Sequence, residues 1–191
     1  LKPLTMVIAI FYVAITAYHV GSNEQFNRKP KSLWLLAALV LSAAGDVFLL
    51  NPNMFIAGLV SFLLAHLAYI GLLRLHAPWF ASKTAMALCL LLALPMCVFL
   101  WLGGLPGELR IPVAAYVLVI ALMAAQAWGL WALNRNPNSW QIALGASFFL
   151  LSDSLLAIDR FVSPLPLALF CVLVSYYAAQ VLLVHGFLGL S

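Results

Sequence analysis

The chain has 191 residues, of which 66% are hydrophobic and 7% charged. With nine Lys and Arg, five Asp and Glu, and a mean hydropathy of +1.11, it lacks the polar residues to cover a water-soluble globule. The formal charge of +4 does not point to nucleic acid, because most of the basic residues lie in short connections, where topology signals are expected.

In chain order, seven apolar runs are legible, at about 3–20, 33–50, 53–73, 82–102, 111–133, 140–158 and 165–189. About 20 apolar residues at a rise of 1.5 Å cross a bilayer core of roughly 30 Å. A membrane barrel would alternate in short segments instead. The predicted fold is therefore all-α: one polytopic transmembrane helix bundle over residues 1–191. Breakers mark the connections: Gly21-Ser22-Asn23, Asn51-Pro52-Asn53, Gly103-Gly104, Asn134 to Asn138 and Ser163-Pro164. Cys89, Cys97 and Cys171 fall in apolar runs with no metal-binding spacing and read as buried thiols.

Basic residues choose an orientation. Arg28, Lys29, Lys31, Arg74, Lys83 and Arg135 lie on one side, against Lys2, Arg110 and Arg160 on the other. The first set is expected in the cytoplasm, which puts the C-terminus there too.

Two carboxylates stand inside the apolar runs, Asp46 in LVLSAAGDVFLL and Asp153 in SFFLLSDSLLAI. A charge at the bilayer centre costs about 2.5–3.5 kcal/mol on insertion scales, so each is expected to have a partner or a task. Each lies 13 residues into its span, counted from Leu33 and Trp140, which predicts similar depth. Lys2, Asp159 and Arg160 are expected at the boundary nearest them. Packing alone is the competing account of either Asp. One carboxyl held protonated would serve as an acid, and an ionised partner as a base.

Other polar residues are candidates for the same site. His66 and Tyr69 are i, i+3 neighbours on the third span, beside Gly58, Ser61 and Ala65, which predict close helix packing. Tyr176, Tyr177 and Gln180 form a polar patch on the last span, and Tyr116 and Gln126 are weaker candidates. Arg160 would grip a lipid phosphate with Asp159 positioning it, or the two would form an interfacial ion pair. The spacings 46→69 and 153→176 are both 23, a faint sign of repeated helix pairs. Motifs for a nucleophile elbow, a zinc hydrolase, a P-loop and a dinucleotide fold are absent. No metal site or cofactor is expected.

The ordered set KPLT at 2–5, GDVFLL at 45–50, GLVSFLLAHLAYI at 58–70, AYVLVIALM at 115–123, GASFFLLSDSLLAIDRF at 145–161 and YYAAQVLLVHG at 176–186 resembles the YhhN family of membrane proteins. That resemblance covers nearly the whole chain. It implies eight helices in the full-length protein, with one before the KPL segment. It also implies hydrolysis of the vinyl ether bond of a lysoplasmalogen, to a fatty aldehyde and glycerophosphoethanolamine or glycerophosphocholine. Asp46 and Asp153 would then be the acid–base pair. Lys2, Asp159 and Arg160 would hold the headgroup, and His66, Tyr69, Tyr176, Tyr177 and Gln180 would orient water or substrate. The expected partners are a lysophospholipid substrate and membrane lipids, in a bacterial inner membrane. A proton-coupled transporter and a non-enzymatic lipid-binding protein remain the alternatives, since buried Asp and His serve carriers as well.

Overall fold

The computed structural model describes residues 6–7, 10–15 and 29–190. Residues 6–7 and 10–15, within the first expected span, are helical. Six long helices follow: α1 (Lys29–Phe48), α2 (Phe55–Arg74), α3 (Lys83–Leu102), α4 (Arg110–Asn134), α5 (Pro137–Phe161) and α6 (Ala168–Gly189). Short 3-10 turns at Pro52–Met54 and Gly107–Leu109 precede α2 and α4. All six helices are long and apolar enough to cross a membrane. The fold is an all-α transmembrane architecture, and the protein is an integral membrane protein.

Local chemistry sets the helix ends. Asn51 accepts from the Asn53 amide at 3.0 Å and starts the turn that Pro52 enters. Ser82 caps α3 by accepting from the Ala85 amide at 3.2 Å. Asn136 caps α5 by accepting from the Ser139 amide at 2.8 Å, with Pro137 in the first turn, where its missing N–H costs nothing. Arg135 closes α4 in the left-handed region, at φ 50°, and lays its guanidinium over Trp131, 4.4 Å from the ring centre. Helix α3 runs unbroken through Pro95.

The chain divides into two compact units, one up to His76 and one from Ala77 onward. In the first, α1 packs on α2. A Cβ on Gly45 would lie 2.6 Å from the Phe62 ring, and one on Gly58 would lie 2.7 Å from the Leu49 side chain. Ser61 donates to the Leu41 carbonyl at 2.7 Å. The small residues of α2 thus do admit close packing. In the second unit α4 packs on both α3 and α5, and α5 packs on α6. There a Cβ on Gly186 would meet Ile142 at 2.5 Å and the Asn138 carbonyl oxygen at 2.9 Å. Ser152 donates to the Val172 carbonyl at 3.1 Å. Gln126 donates to the Pro78 carbonyl at 2.7 Å and ties the 77–82 connection to α4.

Cys89 is buried, but Cys171 is exposed on α6, so burial does not hold for all three thiols. The reason is that an apolar helix in a bilayer has a lipid-facing side, and hydrophobicity alone does not say which side a residue takes.

Candidate functional site

In the first unit the polar residues gather near the end of α1 and along α2. Asp46 lies two residues before the end of α1 and is 2% exposed. Ser42, one turn earlier, is fully buried, and its hydroxyl has no hydrogen-bond partner among the described residues. His66 and Tyr69 on α2 are both fully buried. The i, i+3 spacing keeps them on neighbouring positions of one helix face.

In the second unit Asp153 sits mid-helix on α5 and is half-buried. Tyr116, buried on α4, donates its hydroxyl to Oδ2 of Asp153. Tyr176 on α6 is buried and meets the Phe149 ring edge-on, centroids 5.5 Å apart. Its neighbour Tyr177 lies with ring centroid 5.9 Å away. The Tyr177 hydroxyl is buried with no hydrogen-bond partner among the described residues. Gln180, one turn further, is buried. Asp153, Tyr116, Phe149 and Tyr176 are thereby linked through three helices.

Lys2 falls outside the described residues. Asp159 accepts from the Leu165 amide at 2.8 Å, so its carboxylate shapes the turn between α5 and α6. Arg160 is exposed near the end of α5, its guanidinium 6.0 Å from the Phe161 ring. Asp46 lies two residues from the end of its helix and Asp153 lies eight from the end of its own. The equal count from the entry ends is therefore not repeated at the exit ends.

Tyr116, a weaker candidate by sequence, makes the direct bond to Asp153. The two are 37 residues apart on different helices, and no local spacing links them. Gln126, the other weak candidate, is taken up by the carbonyls of Ala77 and Pro78. Among the described residues no three or more of His, Cys, Asp and Glu gather as a metal site would require. Carboxylates, phenols and an imidazole in such settings can move protons and hold water or a polar headgroup.

The family model of the YhhN family matches residues 1–187. Lysoplasmalogenase of Mycobacterium tuberculosis (strain CDC 1551 / Oshkosh) is 35% identical over 161 residues, covering 81% of this chain and 60% of that protein. Lysoplasmalogenase TMEM86B of Homo sapiens is 36% identical over 149 residues, covering 78% of this chain and 61% of that protein. Lysoplasmalogenase TMEM86A of Homo sapiens is 30% identical over 158 residues, covering 80% and 64%. The chain thus spans about three-fifths of the length of the curated relatives it matches. No solved structure matches it.

Proposed function

This chain belongs to the YhhN family, and on that membership we propose that it is a membrane-embedded hydrolase cleaving the vinyl ether bond of lysoplasmalogens. The products are a fatty aldehyde and glycerophosphoethanolamine or glycerophosphocholine. The observation that carries the reading is a carboxylate in each unit, Asp46 and Asp153, each set in an apolar helix where charge is costly. The names of the relatives supply the substrate class.

A vinyl ether is cleaved by protonating its β-carbon, which leaves an oxocarbenium ion. Water adds to that cation, and the hemiacetal collapses to aldehyde and alcohol. The reaction needs a proton donor, a base for water and negative charge near the cation. Two carboxyl groups supply all three, as acidic pairs do for glycosidases. Asp46 and Asp153 take these roles. His66, Tyr69, Tyr176, Tyr177 and Gln180 orient water or substrate, and apolar walls hold the alkenyl chain. Lys2, Asp159 and Arg160 hold the headgroup; for Asp159 the contact with Leu165 supports an indirect part, through the turn beside Arg160. The protein resides in a bacterial inner membrane with its C-terminus in the cytoplasm. The unbroken course of α3 at Pro95 supports a fixed site over a carrier, which is expected to use interrupted helices.

The test is aldehyde release by the purified protein in detergent from a lysoplasmalogen, beside an ester-linked lysophospholipid. Release from the vinyl ether alone supports the reading. A folded protein, carrying any helix that precedes KPL in the full-length chain, that releases nothing from either lipid contradicts it.

A further inference from the structure

One end of the second unit gathers positive charge without a matching acid. Helix α4 ends at Asn134 and α5 begins at Pro137, so the two meet at the turn that holds Arg135. A Cβ on Gly129 would lie 3.2 Å from Ala81, which brings the start of α3, with Lys83, to the same end. The acidic side chains of this unit are Glu108, Asp153 and Asp159. Glu108 lies beyond the other end of α4, whose 25 residues rise roughly 37 Å. Asp153 and Asp159 stand 13 and 19 residues after Trp140, about 20 and 28 Å along α5. No Asp or Glu side chain of the unit therefore lies at the end that carries Arg135 and Lys83.

Three tryptophans build the face beside Arg135. The Trp131 ring centre is 5.4 Å from that of Trp128 and 5.1 Å from that of Trp140, and Trp128 and Trp140 are 5.5 Å apart. The Trp128 indole N–H donates to the Ser147 hydroxyl at 3.0 Å, which ties the group across α4 and α5. Arg135 takes φ 50°, a left-handed conformation that is unfavourable for a residue with a Cβ. In it the guanidinium lies over the Trp131 ring, 4.4 Å from the centre, and Nε donates to the Ala132 carbonyl at 3.4 Å. Stacking engages the face of a guanidinium, while its terminal N–H bonds lie in its plane and suit a phosphate oxygen pair. Arg135 and Trp140 are both exposed. Tryptophan settles at the headgroup level of a bilayer, with its ring in the apolar layer and its N–H among polar groups. Lipid phosphates lie at that level too.

We propose that Arg135, with Lys83 adding charge, binds the phosphate of an anionic phospholipid against the Trp128, Trp131 and Trp140 cluster. The occupant is a resident lipid held about 20 Å along α5 from Asp153, so the site stands apart from the hydrolase reading. A zwitterionic lipid carries an ammonium beside its phosphate, which offsets the attraction to two cations. The preference is therefore for a headgroup of net negative charge.

The full-length protein in mixed micelles of detergent and phosphatidylcholine is titrated with phosphatidylglycerol. Native mass spectrometry counts bound lipid, and the unfolding midpoint is followed alongside. Phosphatidylglycerol is expected to bind and to raise the midpoint more than phosphatidylcholine does, with an effect that shrinks at high salt. Arg135→Asn removes the guanidinium and keeps a residue that tolerates the left-handed turn. It is expected to weaken phosphatidylglycerol binding by about 10-fold or more, as for a lost charge-assisted hydrogen bond. Lys83→Gln is expected to weaken it by about fivefold. Arg160→Gln, at the other end of α5, is expected to leave it unchanged. Aldehyde release in micelles free of phosphatidylglycerol is expected to be the same in Arg135→Asn and wild type. Equal binding of the two lipids, an equal midpoint shift from soluble glycerol phosphate, or phosphatidylglycerol binding that survives Arg135→Asn or is lost instead in Arg160→Gln would overturn the proposal. Should Arg135→Asn not fold, Lys83→Gln and the salt dependence decide: binding indifferent to both overturns it.

Discussion

Phe149 stands one helical turn before Asp153 on α5, and its ring meets Tyr176 of α6 edge-on at 87°. The same buried contact joins α5 to α6 and fixes a phenol beside the Asp153 face. Phe149→Ala removes the ring and leaves a void. Stability is expected to fall by about 3–5 kcal/mol if the gap does not collapse, and kcat to fall with it. Tyr176→Phe retains the edge contact and is expected to keep the fold while lowering turnover. Unfolding midpoints in detergent, read beside aldehyde release, separate the two effects. Equal stability of Phe149→Ala and wild type would count against this packing role.

Asp159 and Arg160 are sequence neighbours with separable tasks. Asp159 accepts from the Leu165 amide, whereas Arg160 is exposed. Asp159→Ala is expected to lose about 1.5–3 kcal/mol of stability, the range for a hydrogen bond to a charged group. Arg160→Ala is expected to raise KM for the phosphate-bearing lipid with kcat little changed, the pattern of lost uniform binding. Thermal unfolding and a Michaelis series distinguish these. A KM unaffected by Arg160→Ala would remove Arg160 from the headgroup site.

Gly186 lets α6 lie close against α5. A Cβ there would stand 2.5 Å from Ile142 and 2.9 Å from the Asn138 carbonyl oxygen. The latter is backbone and cannot swing aside. Gly186→Val is therefore expected to destabilise by about 1–3 kcal/mol or more through overpacking. Gly107→Ala, with open space around its position, is expected to cost far less. Comparable loss at both sites would contradict the close approach.

The helices were legible because apolar runs of bilayer length leave few alternatives. Their ends were less so. The expected span began at 33 and the helix begins at Lys29; the expected sixth span ended at 158 and the helix continues to Phe161. Polar and charged residues at an interface extend a helix without extending its apolar run. The two 23-residue echoes fall on helix pairs that do pack, α1 with α2 and α5 with α6. Each pair also has a serine–carbonyl bond across 20 residues, Ser61 to Leu41 and Ser152 to Val172. The serine is on the second helix in one pair and on the first in the other, so the pairs are not copies in detail. Asp46 and Asp153 were visible from their charge, while the Tyr116 bond was not. Hydrophobic periodicity is weak in helices that are apolar on every side, and it does not reveal which side faces a neighbour.

Asp46 and Asp153 are proposed as the acid and base of the hydrolysis, and a set of three variants tests that proposal. Aldehyde release from a lysoplasmalogen is measured for Asp46→Asn, Asp153→Asn and the double variant, each shown to be folded. Loss of either acid or base is expected to lower kcat by about 10²–10⁴-fold. The double variant is expected to fall little further, because groups that act as a unit are non-additive. Near-normal turnover in either single variant, or a double variant whose loss is the product of the two single losses, would contradict the claim.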